Sequence, residues 1–202
     1  MMMGRCRNEK KTVARIAGIL AGVIVFTAIT NILNAMYVNV DEMAWYRIMW
    51  HHFYEDAGKI DNICVGSSHV YCDIDPSILD QVSGQYNFNM STPAQQITSS
   101  YYLVREADRM NELSHVYLEM YYQCTVDARV LSHIYRHYYN LDYMKPSFNK
   151  AAYMLAFGGG DRYINVLLPF SRYRAKLGDW AYVKEELEKG GGGAERQWLL
   201  SL

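Results

Sequence analysis

The chain has no excess of basic residues, which narrows the classes of partner that it suits. Its 202 residues contain 20 lysines and arginines against 21 acidic residues. Five of the basic residues lie within the first fifteen positions, so the rest of the chain carries 15 basic and 20 acidic side chains. Nucleic-acid-binding surfaces need a basic patch or stripe. The composition therefore argues against a nucleic-acid partner.

Cysteine is scarce, and histidine does not occur at a recognisable metal-binding spacing. Cys64 lies in an apolar stretch, and spacing alone leaves open whether Cys72 and Cys124 form a disulfide. His133 and His137 are four residues apart, but no glutamate lies between them as in a His-Glu-x-x-His site. We expect both histidines to face solvent, and we expect no metal or other cofactor.

One long hydrophobic run lies near the N-terminus. From Ile16 to Val40 the chain has 25 residues without a charge, enough for a bilayer core of about 30 Å. Basic residues precede the run, and no small-residue cleavage site follows it. We therefore predict a cytoplasmic basic tail over residues 1–15 and a retained signal anchor over 16–40. The positive-inside rule places the rest of the chain outside the cell membrane.

An aromatic segment, residues 41–58, follows the anchor. Met43, Tyr46, Trp50 and Phe53 fall on one face of a predicted helix. Tryptophan and tyrosine are favoured at the level of lipid headgroups. The segment therefore either lies against the membrane surface or packs on the domain that follows.

Strand and helix patterns alternate after this segment. Predicted strands cover residues 60–65, 85–90 and 115–121, with helices between them. In the predicted helix between the second and third strands, the spacing predicts one buried face formed by Ile97, Tyr101, Val104 and Ala107. This βαβαβ order predicts an α/β fold with a mostly parallel sheet and right-handed crossovers.

The first strand runs into a glycine and two serines. Gly66 permits a sharp turn, and a serine on such a turn stands at the carboxyl end of the sheet, where open α/β folds bind ligands. Backbone N–H groups there suit an oxyanion. We consider Ser68 as a nucleophile, with Gly66, Ser91 and Asn89 at the oxyanion or binding site. The alternative is a serine-capped helix start, since Gly-x-Ser-x-Gly is absent.

These residues resemble a known family. Gly66-Ser67-Ser68-His69, Asp75-Pro76-Ser77, Tyr86-Asn87-Phe88-Asn89 and Val116-Tyr117-Leu118-Glu119 are similar to membrane-anchored SGNH-hydrolase-like proteins. These proteins accompany membrane-bound O-acyltransferases in bacteria, and the D-alanine transfer protein of teichoic acid modification is a distant relative. The resemblance covers about residues 1–185. It implies an SGNH, flavodoxin-like three-layer sandwich, a nucleophile at Ser68, and a membrane-bound O-acyltransferase and an envelope polysaccharide as partners.

Two departures from that family bear on catalysis. No Gly-x-Asn-Asp run follows the third strand, and none of the six histidines has an aspartate three residues before it. Glu112-Leu113-Ser114-His115 is the nearest imitation of Asp-x-x-His, but it lies at the start of the third strand. A serine without a positioned base is a poor nucleophile. The sequence therefore predicts no appreciable esterase activity for this chain.

The composition of the sequence changes near its C-terminal end, where it becomes rich in glycine. Four glycines at positions 190–193 read as a linker or an aberrant terminus, because they pack nothing. We predict a partial α/β domain over residues 59–185, a glycine-rich tail over 186–202, and a chain truncated relative to the family it resembles.

Two functions from different classes remain open. The first is an extracytoplasmic esterase or acyltransferase acting in O-acylation of a cell-envelope polysaccharide. The second is a non-catalytic, membrane-tethered accessory protein that binds a glycan or a partner. Under either function, we expect Ser68 to face the crevice, and Ser67 either to hydrogen-bond locally or to face the neighbouring loop after Met90.

Overall fold

The computed structural model describes residues 2–37, 44–121 and 134–190. Two compact units are present: one holds the N-terminal helix together with the chain from Leu168, and the other is Asp41–Leu167. The helices are α1 (Met2–Tyr37), α2 (Ala44–Glu55), α3 (Ser68–Asp73), α4 (Pro76–Ser83), α5 (Ile97–Met110), α6 (Ile134–Tyr143), α7 (Phe148–Phe157), α8 (Asp161–Leu167), a 3-10 helix (Pro169–Lys176) and α9 (Trp180–Gly190); the strands are β1 (Asn62–Val65), β2 (Asn87–Asn89) and β3 (His115–Leu118).

Helix α1 is long and apolar enough to cross a membrane. Its apolar window, Lys11–Asn34, covers 24 residues, none of them buried by protein. Two threonines within it donate their hydroxyls to the helix's own carbonyls, Thr27 to Val23 O and Thr30 to Phe26 O, each at 2.9 Å. Such internal bonding suits a helix in lipid, because lipid offers the hydroxyls no partner. The same features fit a single-pass anchor or a signal sequence.

The predicted parallel α/β arrangement is confirmed for Asp41–Leu167. The strand order is β2-β1-β3, and both neighbours run parallel to β1. Ile63 of β1 pairs with Phe88 on one side and with Val116 on the other. Every residue of β1 is buried, as expected of a central strand covered on both faces. The three-layer SGNH-like sandwich stays a prediction.

Local sequence signals account for α4. The Asp75 carboxylate caps its first turn by accepting from Ser77 N at 2.8 Å, and Pro76 occupies the first helical position. The helix ends at Gly84, whose φ of 68° is the left-handed conformation that glycine adopts without strain. This short helix separates β1 and α3 from β2.

The aromatic face of α2 lies in the core of the unit. Tyr46, Met49, Trp50 and Phe53 are all buried there, and the Phe53 ring packs edge-to-face on Phe88 of β2. These side chains are therefore not available to a membrane surface. Of the two interpretations of the segment, packing on the domain describes α2; Met43 lies outside the described residues.

One helix buries a different face from the one predicted, and another buries a side chain that was expected to face solvent. In α5, Tyr102, Leu103 and Glu106 are buried and Tyr101 is exposed, so the predicted stripe is rotated: Ala107 is buried and Val104 is partly buried against the core. Tyr102 stacks on Tyr153 of α7 with ring centroids 4.7 Å apart, and this contact sets the face of α5. The buried faces of both helices were decided by their partners.

The second error concerns α6. His137 was expected to face solvent, but it is buried between α5 and α7, with its ring stacked on Phe157. His133 lies outside the described residues. A polar side chain was buried here because neighbouring helices supply hydrogen-bond partners for both ring nitrogens.

Candidate functional site

The carboxyl ends of the three strands meet at one edge of the sheet, because the strands are parallel. Ladder-like bonds continue past each strand: Met90 N donates to Cys64 O at 2.8 Å, and Glu119 N donates to Val65 O at 3.0 Å. Thr92 N reaches Gly66 O at 3.3 Å. The segment Gly66–His69 is thus flanked by the residues that follow β2 and β3.

Gly66 is required for space rather than for an unusual backbone angle. A Cβ at this position would lie 2.4 Å from Val70 Cγ2, 2.6 Å from Glu119 Cβ and 2.6 Å from Glu119 Oε2. Real Cβ atoms do not approach other atoms so closely. The absence of a side chain at Gly66 lets the Glu119 carboxylate lie directly over the turn after β1.

A cluster of three side chains forms at this turn: Ser67, His69 and Glu119. Glu119 Oε2 accepts from Ser67 N at 2.5 Å, and Glu119 Oε1 accepts from the Ser67 hydroxyl at 3.0 Å. The same Oε1 lies 2.7 Å from Nδ1 of His69. Ser67 Oγ is 3.3 Å from that nitrogen. The carboxylate of Glu119, which directly follows β3, therefore contacts both Ser67 and His69 in the turn after β1.

These contacts favour the ionised form of the Glu119 carboxyl. Burial alone would raise the pKa of this carboxyl, but hydrogen bonds from Ser67 N–H, the Ser67 hydroxyl and His69 outweigh burial and hold the pKa below its usual value. Because a carboxylate only accepts hydrogen bonds, Nδ1 of His69 carries its proton toward Glu119. Nε2 of the neutral ring then holds the lone pair, and the His69 side chain is 55% exposed. An exposed, oriented imidazole is the arrangement that a general base needs.

The cluster is not a serine–histidine–carboxylate triad through Ser67. A triad histidine uses one nitrogen for the carboxylate and the other for the nucleophile. Here Ser67 and Glu119 face the same Nδ1, and the Ser67 hydroxyl donates to the carboxylate. Ser67 is also buried. Its contacts are those of a structural residue that positions Glu119.

Ser68 is the exposed serine of the pair. It begins α3, and its side chain faces solvent next to His69 in the chain. The structure therefore places Ser68 outward and bonds Ser67 to Glu119, 52 positions along the chain. The role of Ser68 as a nucleophile stays a prediction.

The other two predicted site residues hold the loop together. Asn89 donates both amide protons to backbone carbonyls of α3 and its cap, Val70 O at 2.9 Å and Ile74 O at 3.0 Å. Its Oδ1 accepts from Ser91 N at 3.2 Å and from the Ser91 hydroxyl. Ser91 is fully buried. The donors expected to bind an oxyanion are thus engaged in internal hydrogen bonds.

Sequence reasoning did not include Glu119 or His69 among the site residues. The signal was present, because Glu119 lies near the carboxyl end of the predicted third strand, at the edge of the sheet where ligands bind. Beyond Glu119, the ring of Tyr121 packs edge-to-face on His69 with centroids 4.7 Å apart. This contact further fixes the imidazole.

Cysteines and metal ligands contribute nothing to the site in the described part of the chain. Cys64 is buried with a raised thiol pKa, caused by burial, and Cys72 is an exposed free thiol. Cys124 lies outside the described residues. Across residues 2–37, 44–121 and 134–190, no three histidine, cysteine or acidic side chains group as metal ligands.

Comparison with known proteins gives no relative. No protein-family model matches the chain. No curated protein and no solved structure matches it either.

Proposed function

We propose that this chain is a membrane-anchored, SGNH-like esterase or acyltransferase that acts on acyl esters of a cell-envelope polysaccharide. The anchor is α1, its basic end lies in the cytoplasm, and the α/β unit lies outside. A membrane-bound O-acyltransferase is the partner that this function implies. The proposal takes the parallel sheet, the exposed Ser68 and the oriented His69 as parts of one site.

One observation carries the chemistry: the hydrogen bond of 2.7 Å between Glu119 and Nδ1 of His69 at the carboxyl end of the sheet. It supports His69 as a base in place of the histidine of the Asp-x-x-His motif, which the sequence lacks. Glu119 keeps Nδ1 protonated, so Nε2 is the nitrogen that accepts a proton. A positioned base of this kind contributes roughly 10²- to 10⁴-fold to rate.

The reaction proceeds in two balanced steps. Ser68 Oγ forms a bond to the acyl carbonyl carbon while its proton passes to Nε2 of His69. The ester C–O bond then breaks, and the leaving sugar hydroxyl takes the proton from Nε2. In the second step, water or another hydroxyl gives its proton to Nε2, attacks the acyl-serine, and releases Ser68.

Labelling with a fluorophosphonate probe tests this proposal on the full chain in native membranes. The expected adduct maps to Ser68, and Ser68→Ala abolishes it. The matched control is Ser114→Ala, at an exposed serine outside the cluster, which should keep labelling. His69→Gln should slow labelling and turnover of p-nitrophenyl acetate by roughly 10²-fold or more. Labelling and turnover unchanged in Ser68→Ala would refute Ser68 as the nucleophile.

A second function is favoured by a specific observation. The donors of Asn89 and Ser91 are used internally, which leaves few groups for an oxyanion. A non-catalytic accessory protein that binds a glycan or a partner acyltransferase does not need free oxyanion-binding donors. The labelling experiment distinguishes the two functions. If the chain is a non-catalytic accessory protein, it gives no Ser68 adduct and no turnover, but it still binds acylated polysaccharide in a sedimentation assay.

Protease accessibility tests the orientation. Protease added to intact spheroplasts should remove a C-terminal tag and spare an N-terminal one. A protected C-terminal tag would show that the domain faces the cytoplasm.

A further inference from the structure

The C-terminal end of α1 is joined by a second element of its own unit. Phe170 N, in the 3-10 helix, donates to Asn34 Oδ1 at 2.9 Å. The Tyr182 hydroxyl, in α9, donates to the backbone oxygen of Tyr37 at 3.1 Å. Gly178 N, between the two helices, donates to the Tyr37 hydroxyl oxygen at 3.4 Å. Three separate bonds thus fix the segment from Phe170 to Tyr182 on the last turns of α1.

These bonds set the depth of the segment relative to a membrane. The apolar window of α1 ends at Asn34. At 1.5 Å per residue, its 24 residues span about 36 Å, enough to cross a hydrocarbon core of about 30 Å. Counted from the residue after the last basic one, Arg15, about 20 residues cross the 30 Å core and end at position 35. Asn34 therefore lies next to the boundary of the core, and Tyr37 lies about 3 Å beyond it. The headgroup layer extends roughly 5–8 Å outward from that boundary, so groups bonded to Asn34 and Tyr37 lie inside it.

The turn at this depth exposes the side chains that a headgroup layer favours. Leu177 is 51% exposed and Trp180 is 72% exposed, although both are large and apolar. Lys176 is exposed beside them, with its Nζ 5.2 Å from the centroid of the Tyr182 ring. Val183, one turn further along α9, is only 3% exposed. The segment therefore presents tryptophan, leucine and lysine to its surroundings, next to a buried residue of the same helix.

We infer that residues 169–182 form an interfacial lipid-binding segment, in which Trp180 and Leu177 enter the headgroup layer and Lys176 lies near the lipid phosphates. The inference rests on the proposed membrane anchorage of α1. Tryptophan is favoured at this level because it has an apolar body and a polar N–H, and an anionic surface attracts lysine. The membrane contact predicted for the aromatic segment after the anchor is thus made by a different part of the chain.

Spin-label accessibility tests the inference on the full chain in phosphatidylcholine–phosphatidylglycerol vesicles. The native cysteines are first replaced, Cys64 by alanine and the others by serine. A nitroxide is then attached in separate variants at Leu177→Cys and Trp180→Cys. Leu20→Cys, in the middle of the apolar window, is the lipid reference. Val82→Cys, an apolar position of the other unit that is 83% exposed, is the water reference.

The readout is relaxation by oxygen, which concentrates in lipid, relative to a water-soluble nickel chelate. We expect the oxygen-to-nickel ratio at positions 177 and 180 to be severalfold higher than at 82 and lower than at 20. Ratios at 177 and 180 equal to that at 82, with position 20 in lipid, overturn the inference and leave the anchorage standing. A water-like ratio at position 20 shows that the anchorage itself fails, and the inference fails with it.

A second variant tests whether packing on α1 sets the depth of this segment. Val183→Asp puts a charge at a buried position of α9, so the label at 180 should move to the water value while the label at 20 does not change. Val82→Asp adds the same charge at an exposed position of the other unit and should leave the label at 180 in the headgroup layer. A label at 180 that stays in lipid with Val183→Asp refutes the positioning by α1.

Discussion

Burial of His137 should make the stability of this protein fall between pH 6.5 and pH 4. The side chain is 2% exposed. Its Nε2 lies 2.9 Å from Gln96 Oε1, which can only accept, so Nε2 carries the proton. Nδ1 lies 2.9 Å from the Tyr153 hydroxyl and 3.1 Å from the Ser99 hydroxyl. Because the Tyr153 hydroxyl donates to Ser99 Oγ, it is the Ser99 hydroxyl that donates to Nδ1. The neutral ring is therefore fully hydrogen-bonded in the folded state.

The size of this loss of stability follows from the pKa of His137. Burial, with a smaller contribution from the charge of Arg162, lowers the pKa of His137 from 6.5 to about 4. Below pH 6.5 the unfolded chain binds a proton at this residue, whereas the folded protein does not until pH is near 4. The stabilisation by neutral His137 is therefore complete above pH 6.5 and is lost as pH falls toward 4. At 1.36 kcal/mol per pKa unit, the full loss is about 3 kcal/mol, of which about 2 kcal/mol is reached at pH 5.

Urea unfolding of the full chain in detergent micelles measures this loss. Tryptophan fluorescence reports on the transition because Trp50 is buried in the same unit. The parent should lose about 2 kcal/mol between pH 7.5 and pH 5. His137→Gln, which has no titrating group, should lose much less over that interval, whereas the exposed-site control His52→Gln should behave like the parent. Equal pH dependence in the parent and His137→Gln would refute the assignment to His137.

Three further substitutions have expected outcomes in the same unfolding assay. Gly66→Ala should destabilise by about 1–3 kcal/mol or more, because its Cβ would overlap Glu119 and Val70; an unchanged midpoint would show that the turn can relax. Asn89→Ala should cost about 1–3 kcal/mol, because the Ile74 carbonyl and the buried Ser91 N–H lose the hydrogen bonds that the Asn89 amide makes to them, and a loss of turnover at full stability would instead indicate a role in catalysis. Ser147→Ala removes the N-cap bond to the backbone N–H three residues on, 3.0 Å long, and should cost about 1 kcal/mol; no loss would show that water replaces the cap.

Local patterns were sufficient for much of the fold. The alternating strand and helix signals predicted three parallel strands in the correct segments. Asp75 and Pro76 predicted the start of α4, because capping depends on residues that are adjacent in sequence. The apolar run predicted α1. Each of these features depends on hydrogen bonds or hydrophobic spacing within a few residues, which a sequence displays directly.

The candidate site was predictable only in part. The turn after β1 and its serines were located from sequence, and Ser68 was expected to be the exposed one. The pairing of His69 with Glu119 was not predicted, because the two residues are separated by 50 positions and meet only through the parallel alignment of β1 and β3. The internal bonds of Asn89 likewise depend on the way α3 packs against the end of β2.

The sequence by itself determined the order of the elements, the membrane-spanning potential of α1 and the position of the serine turn, since these follow from composition and local spacing. The tertiary structure alone decided which side chains are buried. Trp50 of the aromatic segment and His137 of a polar-looking helix both lie in the core, while the exposed Trp180 stands on an element bonded to the end of α1. Burial is a property of contacts between distant segments, so amphipathic spacing can indicate that a helix has a buried face without indicating what will cover it.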